Sequence, residues 1–392
     1  MSRTFRPVNC ITPPHVLNNL LESADQAIRE AALSTLLSNA RLRGERSVRA
    51  AFAVAAPTGG RRTIFDCQHR TFLPSAVLVR AEDGAESTDN SVNQAFDGLG
   101  TTRQFYKDVH ERDSIDGRGM RLDGYVHRGR NYNNAFWDGQ EMVFGDGDGR
   151  VFTDFTGSLD VIAHELTHGV TEHTAGLEYH GQSGALNEHI SDVFGCLVKQ
   201  WSRQESAAEA DWLIGSEIFT PDIDADALRS LKAPGKAYDN STFGKDPQPD
   251  HMSRFVKLPD TDEGDNGGVH INSGIPNKAF YLTAVGVGGF AWEAPGHIWY
   301  ETLKASSART QFQQFAETTY FKAEELYGSG SAEQQAVQAA WHEVGIRISS
   351  APPATITRVG DDGLTTLAKQ IDALSAQVQA LSEDVRGLAA QK

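Results

Sequence analysis

After the Pro13-Pro14 pair, Val16, Leu17, Leu20, Leu21, Ala24 and Ile28 recur at helical spacing, which predicts an amphipathic leader helix. The stretch NARLRGERS then breaks the pattern with a glycine and charges, and the helix is expected to end there. From about residue 50 to 155 the period shortens. RRTIFD, SAVLVR and MVFGDGDGRVFTDF are short β-like runs divided by Gly, Asp and Asn turns, so this half reads as strand-rich. From Leu159 to about Ile348 the pattern is mainly helical, with loops around residues 220–270. SSAPPATITRVGDDG then reads as a linker. Beyond it Leu364, Leu367, Ile371, Leu374, Val378, Leu381, Val385 and Leu388 alternate steps of three and four, a heptad seam of nearly four repeats. The chain shows no internal repeat.

Composition narrows the class. A chain of 392 residues, 39% hydrophobic and 22% charged, buries a large core and is expected to divide into two or more units. The longest apolar run, YLTAVGVGGFAW from Tyr281 to Trp292, is too short to span a bilayer and is broken by glycines, so it reads as buried core and no membrane partner is expected. The N-terminus lacks a continuous apolar segment and a small-residue cleavage site. Synthesis in the cytoplasm without a signal peptide follows, with secretion by a signal-independent route as the alternative. Cys10, Cys67 and Cys196 are too few and too scattered for a disulfide framework. A net charge of −16 argues against nucleic acid as a partner. Residues 1–49 carry seven Arg and four acidic residues, a net of +3, which leaves −19 for the other 343 and suggests that a basic leader docks on an acidic body.

The chemistry concentrates in VIAHELTHGVTEHTAG, residues 161–176. On a helix, His164 and His168 share a face and can offer two imidazole nitrogens to one metal, with Glu165 beside them as base toward water. Hydrolytic zinc wants a third protein ligand. Glu188, in SGALNEHISDVFG, stands twenty residues after His168 in a second helical segment that can turn back antiparallel. Asp192 and Asn187 are placed to hold the far nitrogens of the two histidines. DNGGVHINSG adds His270 in a glycine-rich turn as oxyanion donor, with Asp265 to orient it. GDGDG at 145–149 reads as a turn, because an EF-hand loop begun at Asp146 meets Val151 and Gly157 where glycine and glutamate are required. His173, His180 and His189 do not continue the ligand spacing and read as surface or supporting histidines.

HELTH, NEHISD, NNAFW at 133–137, TAGLEYHGQSGALNE and DNGGVHINSG together resemble the thermolysin family of zinc metalloendopeptidases, in the family's order across roughly residues 60–348. The resemblance implies an α+β, two-domain metalloprotease with a β-rich N-terminal half, a mainly helical C-terminal half and the zinc helix in the cleft between them. It implies zinc on His164, His168 and Glu188, Glu165 as general base, and His270 and Tyr179 as oxyanion donors. It also implies Asn134 and Ala135 as the edge strand for an extended peptide, and Arg229 as the contact to the substrate carbonyl beyond the cleaved bond. Peptides or proteins are the expected substrates, with a bulky apolar residue after the scissile bond. FRPVNCITPPHVL resembles the short propeptide of the protealysin-like branch. By that likeness residues 1–50 are an inhibitory propeptide with Cys10 near the zinc, the alternative being Cys10 as a small buried anchor. The expected units are then the propeptide 1–50, a β-rich catalytic domain with the zinc helix at 51–180, a helical catalytic domain at 181–348, a linker at 349–363 and a heptad tail at 364–392.

The family's paired calcium site uses acidic side chains where this chain has Asp160, Lys199, Asp211, Leu213 and Ser216. Paired calcium is therefore expected to be absent, while Thr220, Ile223 and Asp226 leave room for one weaker site. Ile and Val at a positions with Leu at d favour a parallel two-stranded coil, hence a homo-oligomer through the tail. A helix folded back on the catalytic domain is the competing arrangement. Two other functions stand beside an endopeptidase. A zinc-containing binding module without turnover has no need of Glu165, Tyr179 and His270, and an exopeptidase calls for an acidic anchor for the substrate amine, which the sequence does not identify.

Overall fold

The computed structural model describes residues 9–49 and 62–348. The linker and heptad tail therefore lie outside the described residues. Six strands form one mixed sheet: β1 (Asn9–Cys10), β2 (Arg62–Asp66), β3 (Val77–Ala81), β4 (Leu122–Val126), β5 (Ala135–Trp137) and β6 (Glu141–Phe144). Their order across the sheet is β1-β5-β6-β4-β2-β3. β2 runs parallel to β4 and β4 to β6, while β5 is antiparallel to β6. The leader strand β1 adds to the β5 edge antiparallel, Asn9 opposite Trp137 and Cys10 opposite Phe136.

The leader is helical, as its spacing predicts, but as two helices, α1 (Pro14–Leu21) and α2 (Gln26–Arg49). α2 runs through Gly44 and the charged stretch where the sequence pattern suggested an end. A single internal glycine costs only about 1 kcal/mol, and helix formers on either side outweigh it. Ile11, Val16, Leu17 and Leu20 of the leader are buried in the main core, so the leader is packed onto the body.

The strand-rich half also contains a helix that the sequence reading did not pick out, α3 (Asn90–His110). Its Asn, Gly and Thr content is poor in helix formers, yet Val92, Ala95, Phe96, Leu99, Phe105 and Tyr106 bury one face, and Asp89 caps it by accepting from Ser91 N. Tertiary burial here overrides weak local preference.

The helical half follows: α4 (Leu159–Glu172), α5 (Gly181–Arg203), α6 (Asp265–Asn272), α7 (Gly274–Val287), α8 (Ala294–Ala305), α9 (Phe312–Tyr327) and α10 (Ala332–Glu343). α4 is buried continuously from Asp160 to Thr171, which marks a helix walled in by protein on every side. α5 packs on it closely because Gly195 faces the Asp160 carbonyl, where a Cβ would stand 2.8 Å from the oxygen. Trp299 stacks on Trp341, and Phe315 meets both edge-on, to close the far side of this layer. The apolar stretch 281–292 is only partly core. Thr283, Ala284, Ala291 and Trp292 are buried while Val285 is exposed, because α7 covers the core with one face. Among the described residues no helix is long and apolar enough to cross a membrane. Cys10, Cys67 and Cys196 are all buried and none is in a disulfide.

Candidate metal centre and cleft

Helical periodicity places His164 and His168 on one face of α4, and α5 returns beneath them carrying Glu188. Their donor atoms converge. His164 Nε2 and His168 Nε2 are 3.1 Å apart, Glu188 Oε1 is 3.3 Å from His168 Nε2, and Glu188 Oε2 is 3.5 Å from His164 Nε2. All three side chains are buried.

The outer contacts decide where the protons are. His168 Nδ1 lies 2.8 Å from Asn187 Oδ1, and Asn187 Nδ2 donates to the Leu177 carbonyl, so the amide oxygen faces the ring and Nδ1 carries the hydrogen. His164 Nδ1 stands 2.9 Å from Asp192 Oδ1, a position that calls for a proton on that nitrogen. Both Nε2 atoms therefore present lone pairs to each other and to a carboxylate, and Glu188 Oε2 has no hydrogen-bond partner. Three buried acceptors at this spacing repel unless a cation stands among them. Two imidazoles and one carboxylate, with the rest of the shell open, fit zinc. Burial lowers the His168 pKa to about 3, which keeps it in the neutral form a metal requires. Burial opposes charge on Glu188, but the charged His270 ring leads the neighbours that outweigh it and hold the carboxyl below its usual range.

Asp192 is fixed in turn. Arg229 Nε and Nη2 reach its oxygens at 2.9 and 2.8 Å, and Asn277 Nδ2 donates to it at 2.9 Å. Against the cost of burial, Arg229 and His164 keep Asp192 ionised far below the usual carboxylate range. Asn277 and Ser191, whose Oγ is 3.0 Å from His168 Nδ1, went unnoticed in the sequence. Ser191 follows Asn187 at helical i+4 spacing, a signal that could have found it, whereas nothing in the sequence marks Asn277. His189 is buried between Trp299 Nε1, which donates to its Nε2 at 2.7 Å, and Asn277 Oδ1, and burial lowers it to about 4. His173 and His180 are exposed.

Glu165 points into the cleft beside β5. Its Oε2 accepts from Trp137 N at 3.0 Å and its Oε1 has no partner, while burial and the Glu188 charge hold its carboxyl well above the usual range. Opposite stand Tyr179 and His270, with Tyr179 Oη 3.2 Å from His270 Nε2 and donating to Glu188 Oε1. The DNGG turn holds Asp265, Asn266, Gly267 and Gly268 at positive φ, which two glycines make affordable, and it aims Asp265 Oδ1 at His270 Nδ1, 2.5 Å away. Burial disfavours a charged His270, but Asp265 and Glu188 outweigh it and raise the ring to about 9.

The leader crosses this cleft as an added strand. Ile11 N donates to the Ala135 carbonyl at 3.2 Å, and Thr12 N donates to Asn134 Oδ1 at 3.0 Å. Arg229 Nη1 donates to the Ile11 carbonyl at 3.1 Å, and His270 Nε2 lies 3.1 Å from the Cys10 carbonyl. The Cys10 thiol is not part of the ligand cluster. Cys10 belongs to an apolar cluster with Leu42, Cys67, Leu73, Tyr132, Phe136 and Val143, and it is its carbonyl that meets His270. The sequence-predicted site residues, Cys10 through its backbone, are thus drawn to one cleft from six elements and two loops.

At the expected calcium position, Lys199 Nζ lies 2.7 Å from Asp160 Oδ2, 3.0 Å from Asp211 Oδ1 and 2.8 Å from the Leu213 carbonyl. GDGDG is a turn in which Asp148 Oδ1 accepts from Arg150 N and Val151 N.

Residues 52–172 match the family described as thermolysin metallopeptidase, catalytic domain, and residues 175–346 match thermolysin metallopeptidase, alpha-helical domain. An extracellular metalloprotease of Pectobacterium carotovorum subsp. carotovorum is 44% identical over 346 residues, 88% of this chain and 98% of its own. Protease PrtS of Photorhabdus sp. (strain Az29) is 43% identical over 346 residues, 86% of this chain and 92% of its own. Among solved structures, the precursor of protealysin, a metalloproteinase from Serratia proteamaculans, superposes with a TM-score of 0.78 at 46% identity, covering 86% of this chain and 99% of that one.

Proposed function

The chain belongs to the thermolysin family of metallopeptidases, in its protealysin-like branch, and is a zinc endopeptidase made with a propeptide; from that premise we propose how its residues divide the work. Zinc on His164, His168 and Glu188 supplies a Lewis acid for the peptide carbonyl and acidifies water. Glu165 takes the proton of the attacking water and hands it to the leaving amine, a task that suits a carboxyl held above its ordinary range by burial. His270, oriented by Asp265, and Tyr179 donate to the oxygen on which negative charge develops. Asn134 and Ala135 hold the substrate backbone by strand addition, and Arg229 binds the carbonyl after the cleaved bond.

One observation carries this reading: two buried imidazole lone pairs and a carboxylate face one another, with Glu165 beside them, in a cleft whose edge strand already holds an extended chain. The preference for a bulky apolar residue after the scissile bond draws support from Ile11, whose side chain is wholly buried while Arg229 binds its carbonyl. Residues 1–50 act as the inhibitory propeptide, with Asn9 and Cys10 paired along β5, and 51–180 and 181–348 are the two catalytic units. The tail at 364–392 joins two copies of the chain. Synthesis takes place in the cytoplasm without a signal peptide, and a signal-independent route out of the cell agrees with the extracellular name of the Pectobacterium relative.

The test is digestion of casein by the purified protein with and without a zinc chelator, with cleavage sites and the new N-terminus read by mass spectrometry. Glu165→Gln is expected to keep zinc, lose roughly 10²–10⁴-fold in turnover and stay unprocessed. Appreciable hydrolysis by that variant, free of contaminating protease, overturns the assignment.

A further inference from the structure

The leader does more than cover the cleft. Around its Cys10–Ile11 bond four backbone groups are each held by a group proposed to handle substrate. The Cys10 carbonyl faces His270 Nε2 at 3.1 Å, and Ile11 N–H bonds to the Ala135 carbonyl at 3.2 Å. The Ile11 carbonyl accepts from Arg229 at 3.1 Å, and Thr12 N–H donates to Asn134 Oδ1 at 3.0 Å. Strand direction, register and the apolar side chain after the bond all match what a cleavable peptide presents. A segment that blocked the site by bulk alone needs none of this register. A segment that capped the metal through sulfur would place the thiol among the ligand atoms, whereas the converging donor set is His164, His168 and Glu188, and Cys10 belongs to an apolar cluster with Phe136 and Cys67.

We propose that the Cys10–Ile11 peptide bond is itself a cleavage site, cut in cis by the active centre of the same chain. This rests on the endopeptidase reading above. Water adds its oxygen to the Cys10 carbonyl carbon, the bond to Ile11 nitrogen breaks, and the proton taken by Glu165 goes to that nitrogen. The products are a ten-residue peptide ending in the Cys10 carboxylate and a chain beginning at the Ile11 amine.

Downstream of the bond, Ile11, Val16, Leu17 and Leu20 are buried in the main core, His15 Nε2 lies 2.8 Å from Tyr238 Oη, and Asn19 donates to the Phe243 carbonyl. Residues from Ile11 onward therefore stay docked after the cut and still fill their side of the cleft.

The experiment is a time course on the zinc-loaded full-length chain, read by intact mass and N-terminal sequence. We expect loss of residues 1–10 and a new N-terminus at Ile11, at a first-order rate unchanged over a tenfold dilution, and no such product from Glu165→Gln. A second reading needs no turnover: in the Glu165→Gln chain, hydrogen exchange at the Ile11 and Thr12 amides should be strongly slowed. A preparation that digests casein and matures elsewhere, yet never shows the Ile11 terminus, overturns the proposal and leaves the endopeptidase assignment standing. Fast exchange at those two amides, or a rate that scales with concentration, overturns it as well. A preparation that digests nothing rejects both.

Discussion

Lys199 and Asp160 form a fully buried ion pair, Nζ to Oδ2 at 2.7 Å, on facing surfaces of α5 and α4. Burial disfavours the ammonium, but Asp160 and Asp211 outweigh it and keep Lys199 charged. The ammonium also takes the Leu213 carbonyl, so it satisfies oxygens that would otherwise suit a divalent cation. Lys199→Ala is expected to strand Asp160 without a counter-charge and to destabilise the fold by about 3–5 kcal/mol, measured by denaturant unfolding. Calorimetric titration of the wild type should show no coupled pair of tight calcium ions at Asp160.

Asn187 sets the ring of His168 through a 2.8 Å contact while tying itself to the Leu177 carbonyl. Asn187→Ala should weaken zinc binding about 10–100-fold in chelator competition, with the circular dichroism of the fold retained. Unchanged zinc affinity would mean that Ser191 alone orients the ring.

His127 lies between two carboxylates, Nδ1 2.8 Å from Asp146 Oδ1 and Nε2 2.9 Å from Asp89 Oδ2, with His69 on the far side of Asp146. The Asp146 hydrogen bond leads, burial opposes it, and the charges of Asp146 and Asp89 complete a rise from 6.5 to about 9. A raised value means that the folded chain holds this proton more tightly than the unfolded one. The stabilisation is complete below pH 6.5 and fades as pH climbs through about 9. Because Asp89 caps α3, the bond anchors that helix to the end of β4. His127→Gln should lose on the order of 2 kcal/mol at neutral pH and show a flatter melting temperature across this interval, followed by calorimetry.

Deletion of residues 352–392 should convert a homo-oligomer into a monomer with peptidase activity per chain retained. Light scattering on both proteins decides it. A full-length monomer at micromolar concentration rejects the coil, and activity lost on truncation favours a tail folded back on the catalytic domain.

Much of the centre was legible because its information is local. The i, i+4 spacing of His164 and His168 selects one helix face whatever surrounds it, and the same periodicity places Asn187, Glu188 and Asp192 on α5. Side-chain chemistry then restricts what such a set can hold. α3 escaped because its helical pattern is diluted by Gly, Asn and Thr, and α2 outran its expected end because neighbouring turns absorb the cost of one glycine. The ligand types are read directly from the residues, and their helical faces and the strand-then-helix order follow from periods two and 3.6 along a continuous chain. Three-dimensional packing alone brings the Cys10 carbonyl, 260 residues from His270, onto that ring and sets Asn277 against Asp192. Those contacts join segments distant in sequence, and their geometry exists only once the close packing of α4 on α5 and the addition of β1 to β5 have set the distances.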